Sequence, residues 1–127
     1  MTAALNHTIV PAKDKRASAE FLRGILGTEP TTAWGPFVLL PLDHGLTLDY
    51  VDATEFDEHH YAFLVDEIEF DAVFDRIVAT GVSYYADPFR QQPGEINEHY
   101  GGRGVYFDDP DGHLMEAMTQ PYGAAPE

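Results

Sequence analysis

The sequence predicts an α+β fold in which one structural unit, a strand followed by a helix and a meander of short strands, occurs twice. Alternating apolar and polar residues give way to helical spacing and then to short β-rich pieces, first over residues 4–52 and again over residues 57–121. A shift of 53 positions also superposes three side chains on identical ones: His7 on His60, Phe21 on Phe74 and Arg23 on Arg76. We therefore predict an internal duplication within a single domain of 127 residues.

The first half begins with a strand and a helix. Residues 4–10 (ALNHTIV) alternate in the manner of a strand, which Pro11 is predicted to end. From Asp14 onward the apolar residues follow helical spacing, and Gly27 is placed to end the helix. Residues 33–52 contain Gly-Pro and Asp-His-Gly turn signals, so they predict two or three antiparallel strands.

The second half repeats this order. Residues 60–65 (HYAFLV) and 82–88 (VSYYADP) predict strands. The segment between them predicts a helix whose apolar face is formed by Ile68, Val73, Phe74 and Ile77. A polar loop over residues 89–102 then precedes a hairpin, because GVYF and HLMEAMT flank the turn sequence Asp-Pro-Asp-Gly at 109–112.

Charge and composition limit the partners of this protein. It has 22 acidic and 7 basic residues, a formal net charge of -15, which disfavours nucleic acids and anionic membrane surfaces. The absence of cysteine excludes disulfides, thiolate metal sites and cysteine nucleophiles. Because the sequence contains neither a secretory signal nor an apolar run near the roughly 18–20 residues that span a bilayer, we expect a cytoplasmic protein.

Three side chains form a candidate metal site. His7 and His60 occupy equivalent positions of the repeat, and Glu116 lies in the last predicted strand. Two imidazoles and one carboxylate suit Fe(II), Mn(II), Ni(II), Co(II) or Zn(II) and leave coordination positions open for a substrate. In the alternative interpretation, one histidine is a hydrogen-bonded core residue and Glu116 points to solvent. Strand alternation directs His59 to the opposite face from His60, so His59 is predicted to take no part.

The sequence also resembles a known family, the vicinal oxygen chelate superfamily. The segment GGRGVYFDDPDGHLMEAM is similar to its last hairpin, and LNHTIV and HYAFLV are similar to its two opening strands. The resemblance covers about residues 4 to 121. It implies two βαβββ modules whose mixed sheets curl around a cavity, a divalent metal ion held by His7, His60 and Glu116, a small-molecule substrate and a homodimer.

The superfamily includes glyoxalase I, the fosfomycin-resistance thiol transferases, extradiol dioxygenases and metal-free bleomycin-resistance proteins. The resemblance therefore implies a metal-dependent enzyme that binds two neighbouring oxygens of a small organic substrate and performs dioxygenase, lyase or transferase chemistry. One alternative is a metal-free protein that sequesters an aromatic molecule in the same cavity. Another is a scaffold with neither function.

A fourth metal ligand distinguishes glyoxalase I within the family, because that enzyme adds a second carboxylate from the last strand of its first module. Aligning the turn at Asp43 with the turn at Asp111 places Leu48 opposite Glu116, and leucine cannot bind a metal. A slip of one residue offers Asp49 or Thr47 instead. The three-ligand pattern thus resembles the dioxygenases and thiol transferases more than glyoxalase I.

The remaining candidates lie in loops and among the aromatic residues. The long loop before the last hairpin predicts a lid, in which Tyr100 or His99 exchanges a proton with the substrate. Substrate contacts are predicted for Arg90, Arg103, Trp34, Phe37 and Tyr50. The alternative is a solvated loop with structural ion pairs, and aromatics that belong to the core. His44 and His113 follow turns and are predicted to be exposed, without a role.

Overall fold

The computed structural model describes residues 2–123. They form two compact units, which divide between Asp57 and Glu58. The first unit contains β1 (His7–Ala12), α1 (Lys15–Leu26), β2 (Thr32–Trp34), β3 (Phe37–Pro41) and β4 (Thr47–Asp52). The second unit contains β5 (His60–Leu64), α2 (Glu67–Thr80), β6 (Tyr84–Tyr85), β7 (Gly104–Asp108) and β8 (Leu114–Met118). The predicted α+β fold with two βαβββ modules is confirmed.

The first unit is a mixed four-stranded sheet in the order β1-β4-β3-β2, with β1 parallel to β4 and the other pairs antiparallel. Helix α1 begins where the Asp14 carboxylate accepts hydrogen bonds from two backbone N–H groups, and it ends at Gly27, whose φ is 70°. The helix packs on β3 and β4, and the core between them is formed by Val10, Leu22, Ile25, Leu40 and Tyr50.

Strand β1 differs from its prediction at both ends, because it begins at His7 and continues through Pro11 to Ala12. The carbonyls of Asn6 and Ala12 accept hydrogen bonds from β4 and the residue after it. The nitrogens of the odd-numbered residues therefore face away from β4. Since β1 is an edge strand, the missing N–H of Pro11 costs no ladder bond. The predicted stop at Pro11 was wrong for this reason.

The second unit has the equivalent sheet order β5-β8-β7-β6, again with its first strand parallel to its neighbour. Helix α2 buries Phe70, Val73 and Ile77, which follow one another at spacings of three and four residues. The prediction that Ile68 belongs to this face was wrong, because Ile68 lies nearly opposite Phe70 on the helix and is 81% exposed. Among residues 2–123, no helix combines the length and apolarity needed to cross a membrane.

Candidate metal centre

The centre of the candidate site in the second unit is a pair of side chains on neighbouring parallel strands. His60 opens β5, Glu116 lies in the middle of β8, and the His60 Nε2 atom is 3.1 Å from the Glu116 Oε1 atom. The Glu116 side chain is only 2% exposed, whereas that of His60 is 43% exposed. The carboxylate is therefore buried, whereas the imidazole that contacts it is partly exposed to solvent. The alternative interpretation, in which Glu116 points to solvent, is excluded.

Backbone contacts fix which nitrogen of His60 can bind a metal. Its Nδ1 atom is 2.9 Å from the Leu114 carbonyl oxygen. A carbonyl can only accept, so Nδ1 carries a proton. The Nε2 atom donates a second proton to Glu116 when the ring is charged, and it directs a lone pair to the same place when the ring is neutral. The hydrogen bond with Glu116 raises the pKa of His60 above its ordinary value, against the opposing effect of burial. In the absence of a cation, a proton is thus favoured between the two atoms that a divalent ion would bind.

His7 lies in the first unit, at the start of β1, where it is exposed. Its Nδ1 atom is 2.7 Å from the Asn6 side-chain oxygen, which again leaves Nε2 as the nitrogen with a lone pair when the ring is neutral. Within residues 2–123 of one chain, no three histidine, aspartate or glutamate side chains form a group that could hold a metal ion. Of the three predicted ligands, His60 and Glu116 are the two that the structure shows in contact with each other.

Strand register corrects the alignment of the two modules. His7 pairs with Thr47 in the first unit, as His60 pairs with Leu114 in the second. Two residues further along, Asp49 therefore occupies the position of Glu116, so the predicted equivalence of Leu48 with Glu116 was wrong. Asp49 is 8% exposed, and it accepts a hydrogen bond of 2.7 Å from the Thr47 hydroxyl. The turns before β4 and β8 have the same length, five residues each (42–46 and 109–113), so Asp43 corresponds to Pro110 and its alignment with Asp111 was off by one residue.

A pocket in the second unit opens onto Glu116. Its lining includes Asn97, His99, Tyr100, Tyr106, Glu116 and Tyr122. Both residues predicted for proton transfer are thus placed beside the carboxylate. Tyr106 stands opposite Glu116 in the β7–β8 register, and its ring stacks on that of His60 at 6.0 Å. The aromatic content of the chain had suggested Tyr106 as part of an aromatic wall, whereas no sequence pattern indicated Tyr122.

The loop that lines this pocket is held by Asn97, whose side chain lies close to the backbone of Gly104. Asn97 pairs with Gly104 through two backbone hydrogen bonds of 2.9 Å, and its side chain donates to the Ala86 carbonyl at 2.8 Å. A Cβ atom at Gly104 would lie 2.9 Å from the Asn97 side-chain oxygen, so a larger residue would displace the loop. Glycine at position 104 therefore allows the loop that contains His99 and Tyr100 to lie close to strands β7 and β8, the second of which carries Glu116.

The sequence model of the Glyoxalase/Bleomycin resistance protein/Dioxygenase superfamily matches residues 4–117. The chain belongs to this superfamily. Its sequence is 30% identical over 123 residues to the glutathione transferase FosA of Serratia marcescens, covering 91% of this chain and 80% of the relative. It is 37% identical over 60 residues to the metallothiol transferase FosB of Shouchella clausii, covering 47% of this chain and 37% of the relative.

Among solved structures, the chain is similar to the oxidase ChaP-H2, with a TM-score of 0.95 and 51% identity over 99% of this chain and 100% of the other. The superfamily predicted from the sequence is confirmed, and these relatives bear out the metal-dependent enzyme chemistry predicted with it.

The two arginines predicted to bind substrate both make ion pairs with carboxylates of the second unit. Arg90, in a left-handed conformation (φ 58°), contacts Asp108 at 2.8 Å and Glu58 at 3.1 Å. Arg103 contacts two carboxylates of α2, Glu67 and Asp71, at 2.8 Å each. The Arg103 guanidinium also lies 4.5 Å from the centre of the Phe70 ring. These contacts favour a structural role for both.

Replacing Arg103 with methionine tests this role. Methionine keeps the apolar stem but removes the ion pairs and the cation–π contact, so we expect Tm to fall by about 3–6 °C at low salt. The difference should shrink in 1 M NaCl because these pairs are partly exposed. Arg16→Met, at an exposed position of α1, is the control and should leave Tm nearly unchanged. Weaker substrate binding with an unchanged Tm would assign Arg103 to the substrate instead.

The three aromatics predicted to contact substrate lie in the first unit, in two environments. Trp34 is 67% exposed and stacks on Phe37 with the ring centres 6.5 Å apart. Tyr50 is fully buried, and it stands opposite Val10 in the sheet. Tyr50 is therefore a core residue, whereas Trp34 and Phe37 present an accessible aromatic surface at the β2–β3 hairpin.

His113 is a buried residue, contrary to its prediction. Its ring is 0% exposed, and its Nδ1 atom accepts a hydrogen bond of 2.9 Å from the backbone N–H of His59. The His59 ring lies 4.9 Å from it and bonds to the Tyr61 hydroxyl at 2.7 Å, on the side of the sheet away from Glu116. His59 therefore lies on the opposite face of the sheet from the His60–Glu116 pair, as predicted. The prediction for His113 was wrong because the turn folds its last residue inward, where Asp109 accepts from its backbone N–H at 2.8 Å.

Proposed function

We propose that this protein is a metal-dependent enzyme that oxidises a small organic substrate bound through two neighbouring oxygen atoms. The observation that carries the proposal is the His60–Glu116 pair, in which a buried carboxylate and an imidazole nitrogen lie 3.1 Å apart and adjoin a pocket. His7 would be the third ligand. A divalent ion bound there supplies Lewis-acid or redox chemistry to the substrate oxygens.

The donor atoms fit such an ion. Both histidines hold Nδ1 against an oxygen acceptor, which orients Nε2 as the ligand and fixes the tautomer. A buried carboxylate is costly unless it is paired or bound to a cation, and the ion-pair partner of Glu116 in the described chain is His60 alone. The pair is therefore suited to exchange its shared proton for a metal.

Oxidation is favoured over thiol transfer by the degree of similarity. The chain is 51% identical to a protein named as an oxidase over almost its whole length, and 30% identical to a glutathione transferase. Thiol transfer is the second candidate, because the similarity to the glutathione transferase FosA also extends over most of this chain. Divalent metal dependence is common to both proposals, while the choice of metal differs between them.

The pocket residues have separable tasks in this proposal. His99 and Tyr100 line it beside Glu116, so they are the groups that would take or return a proton at a substrate oxygen. The Tyr106 ring forms a wall of the site against His60. In the first unit, Trp34 and Phe37 are the aromatic residues that would contact the substrate.

Metal content and oxygen uptake test the proposal. Protein purified without chelators should contain about one transition-metal ion per chain. After loading with Fe(II) or Mn(II), it should consume dioxygen in the presence of catechols. A glutathione adduct of fosfomycin without oxygen uptake would establish the transferase alternative. Metal-free protein that binds an aromatic compound would refute the proposal and favour the sequestering alternative.

A mixed-chain experiment determines where the third ligand comes from. We expect chains carrying His7→Ala, and likewise chains carrying Glu116→Ala, to bind metal poorly when purified alone. If His7 completes the site of a second copy, co-expression of the two variants should restore one complete site in each mixed dimer. If all three ligands belong to one chain, co-expression should restore none. Analysis of tagged, purified mixed dimers by metal content separates the two outcomes.

A further inference from the structure

Tyr122 makes an unusual contact for a residue beyond the last strand. It follows β8 by four residues, outside the segment that matches the superfamily model. More than half of its surface is exposed, at 57%. Its hydroxyl nevertheless donates to the buried Glu116 Oε1 atom at 2.5 Å and lies 2.9 Å from the Tyr106 hydroxyl. The hydroxyl group of Tyr122 is thus the part of this exposed side chain that contacts the site.

The direction of these hydrogen bonds follows from the protons available. Tyr122 has one hydroxyl proton, and it is directed to the carboxylate. The contact between the two hydroxyls must then use the proton of Tyr106, so Tyr106 donates to Tyr122 and Tyr122 donates to Glu116. A short O–H···O⁻ bond of this kind is stronger than a neutral one, and a chain of such bonds polarises each member.

His60 contacts only one oxygen of the Glu116 carboxylate, and the Tyr106 hydroxyl is a further hydrogen-bond partner of that carboxylate. A glutamate side chain has three rotatable bonds, and a bound cation would replace the hydrogen bond with His60. Tyr122 contacts the same oxygen, Oε1, from the pocket side. It therefore provides a further point of attachment that does not depend on His60.

We propose that Tyr122 is a positioning residue that holds the Glu116 carboxylate in the orientation from which it binds the metal. The importance of that orientation for metal binding rests on the function proposed above, whereas the anchoring of the carboxylate does not. Hydrogen-bonded neighbours of metal ligands contribute about 10–100-fold to metal affinity in other proteins. An effect of this size is the expectation for the Tyr122 hydroxyl.

The test removes only that hydroxyl. Tyr122→Phe should weaken binding of Co(II), measured by competition with a chelator, by about 10–100-fold, and should alter the Co(II) absorption spectrum. The matched control is Tyr85→Phe, which removes a tyrosine hydroxyl donating to the Asp108 carboxylate at 2.8 Å, elsewhere in the same unit. The control should keep the Co(II) affinity and spectrum. A chain truncated after Gln120 should reproduce the loss seen with Tyr122→Phe.

Crystal structures of the metal-free proteins separate this proposal from the proposed function. The contact between His60 Nε2 and Glu116 Oε1 should be retained in the wild type and in Tyr85→Phe, and it should be lost or divided among conformers in Tyr122→Phe. An unchanged Glu116 conformation in Tyr122→Phe would overturn the positioning role, whatever the metal does. A displaced Glu116 in Tyr122→Phe, together with a wild type that binds no metal, would retain the anchoring role and refute the metal-dependent function.

Discussion

Glu116→Gln is expected to reduce metal affinity by at least about 100-fold while leaving the metal-free protein as stable as the wild type, or more stable. Metal affinity falls because an amide oxygen replaces a charged ligand, a larger change than the roughly 10–100-fold cost of altering a neighbour of a ligand. Stability is preserved because Glu116 is 2% exposed, and burying a carboxylate carries a desolvation cost that a neutral amide of the same shape largely avoids.

The two effects are measured separately, by chelator competition for the metal and by thermal unfolding of the chelator-treated protein. Glu95→Gln, a change of the same chemistry at an exposed position of the loop, should alter neither. A metal-free Glu116→Gln protein with a much lower Tm would mean that the His60–Glu116 ion pair stabilises the fold. In that case the buried carboxylate would have a structural explanation, and the metal proposal would lose its main support.

The fold was predictable because the duplication repeats its signals at matching positions. The strand histidines, the helix residues Phe21 and Phe74, and the glycines that end each helix with positive φ all occur in both halves. A feature that appears once can arise from local preference, whereas agreement between two copies indicates a shared architecture. The pairing of His60 with Glu116 was implied instead by the resemblance to the superfamily, and the structure places both on the same face of adjacent strands.

Sequence patterns failed where a tertiary contact decides the position of a side chain. The ring of His113 is buried because the Asp109 carboxylate bends the turn around it, and turn composition alone predicts exposure. The partners of Arg103, which the sequence placed in a predicted lid, are on α2, more than thirty residues earlier. Such long-range pairings leave no periodic signal in the chain.

His113→Ala is expected to destabilise the protein strongly, by about 2–5 kcal/mol, because it creates a cavity at a fully buried site and removes the acceptor of the His59 N–H group. That N–H group belongs to the residue before His60, so the start of β5 should loosen together with the turn. Chemical denaturation of the metal-free protein measures the loss of stability. Chelator competition should show weaker metal binding, because only the fraction of the protein that remains folded can bind the metal.

His113→Asn separates the two causes, because its side-chain oxygen can take the place of Nδ1 while the ring volume is still lost. It should recover part of the stability and most of the metal affinity. His44→Asn, at an exposed turn position with φ 64° that asparagine tolerates, is the matched control and should change the free energy of unfolding by less than about 0.5 kcal/mol. If His113→Ala unfolds with the wild-type midpoint, the buried imidazole does not anchor β5. The position of His60 would then depend on the pairing of β5 with β8 and on its contacts with the Leu114 carbonyl, Glu116 and the Tyr106 ring.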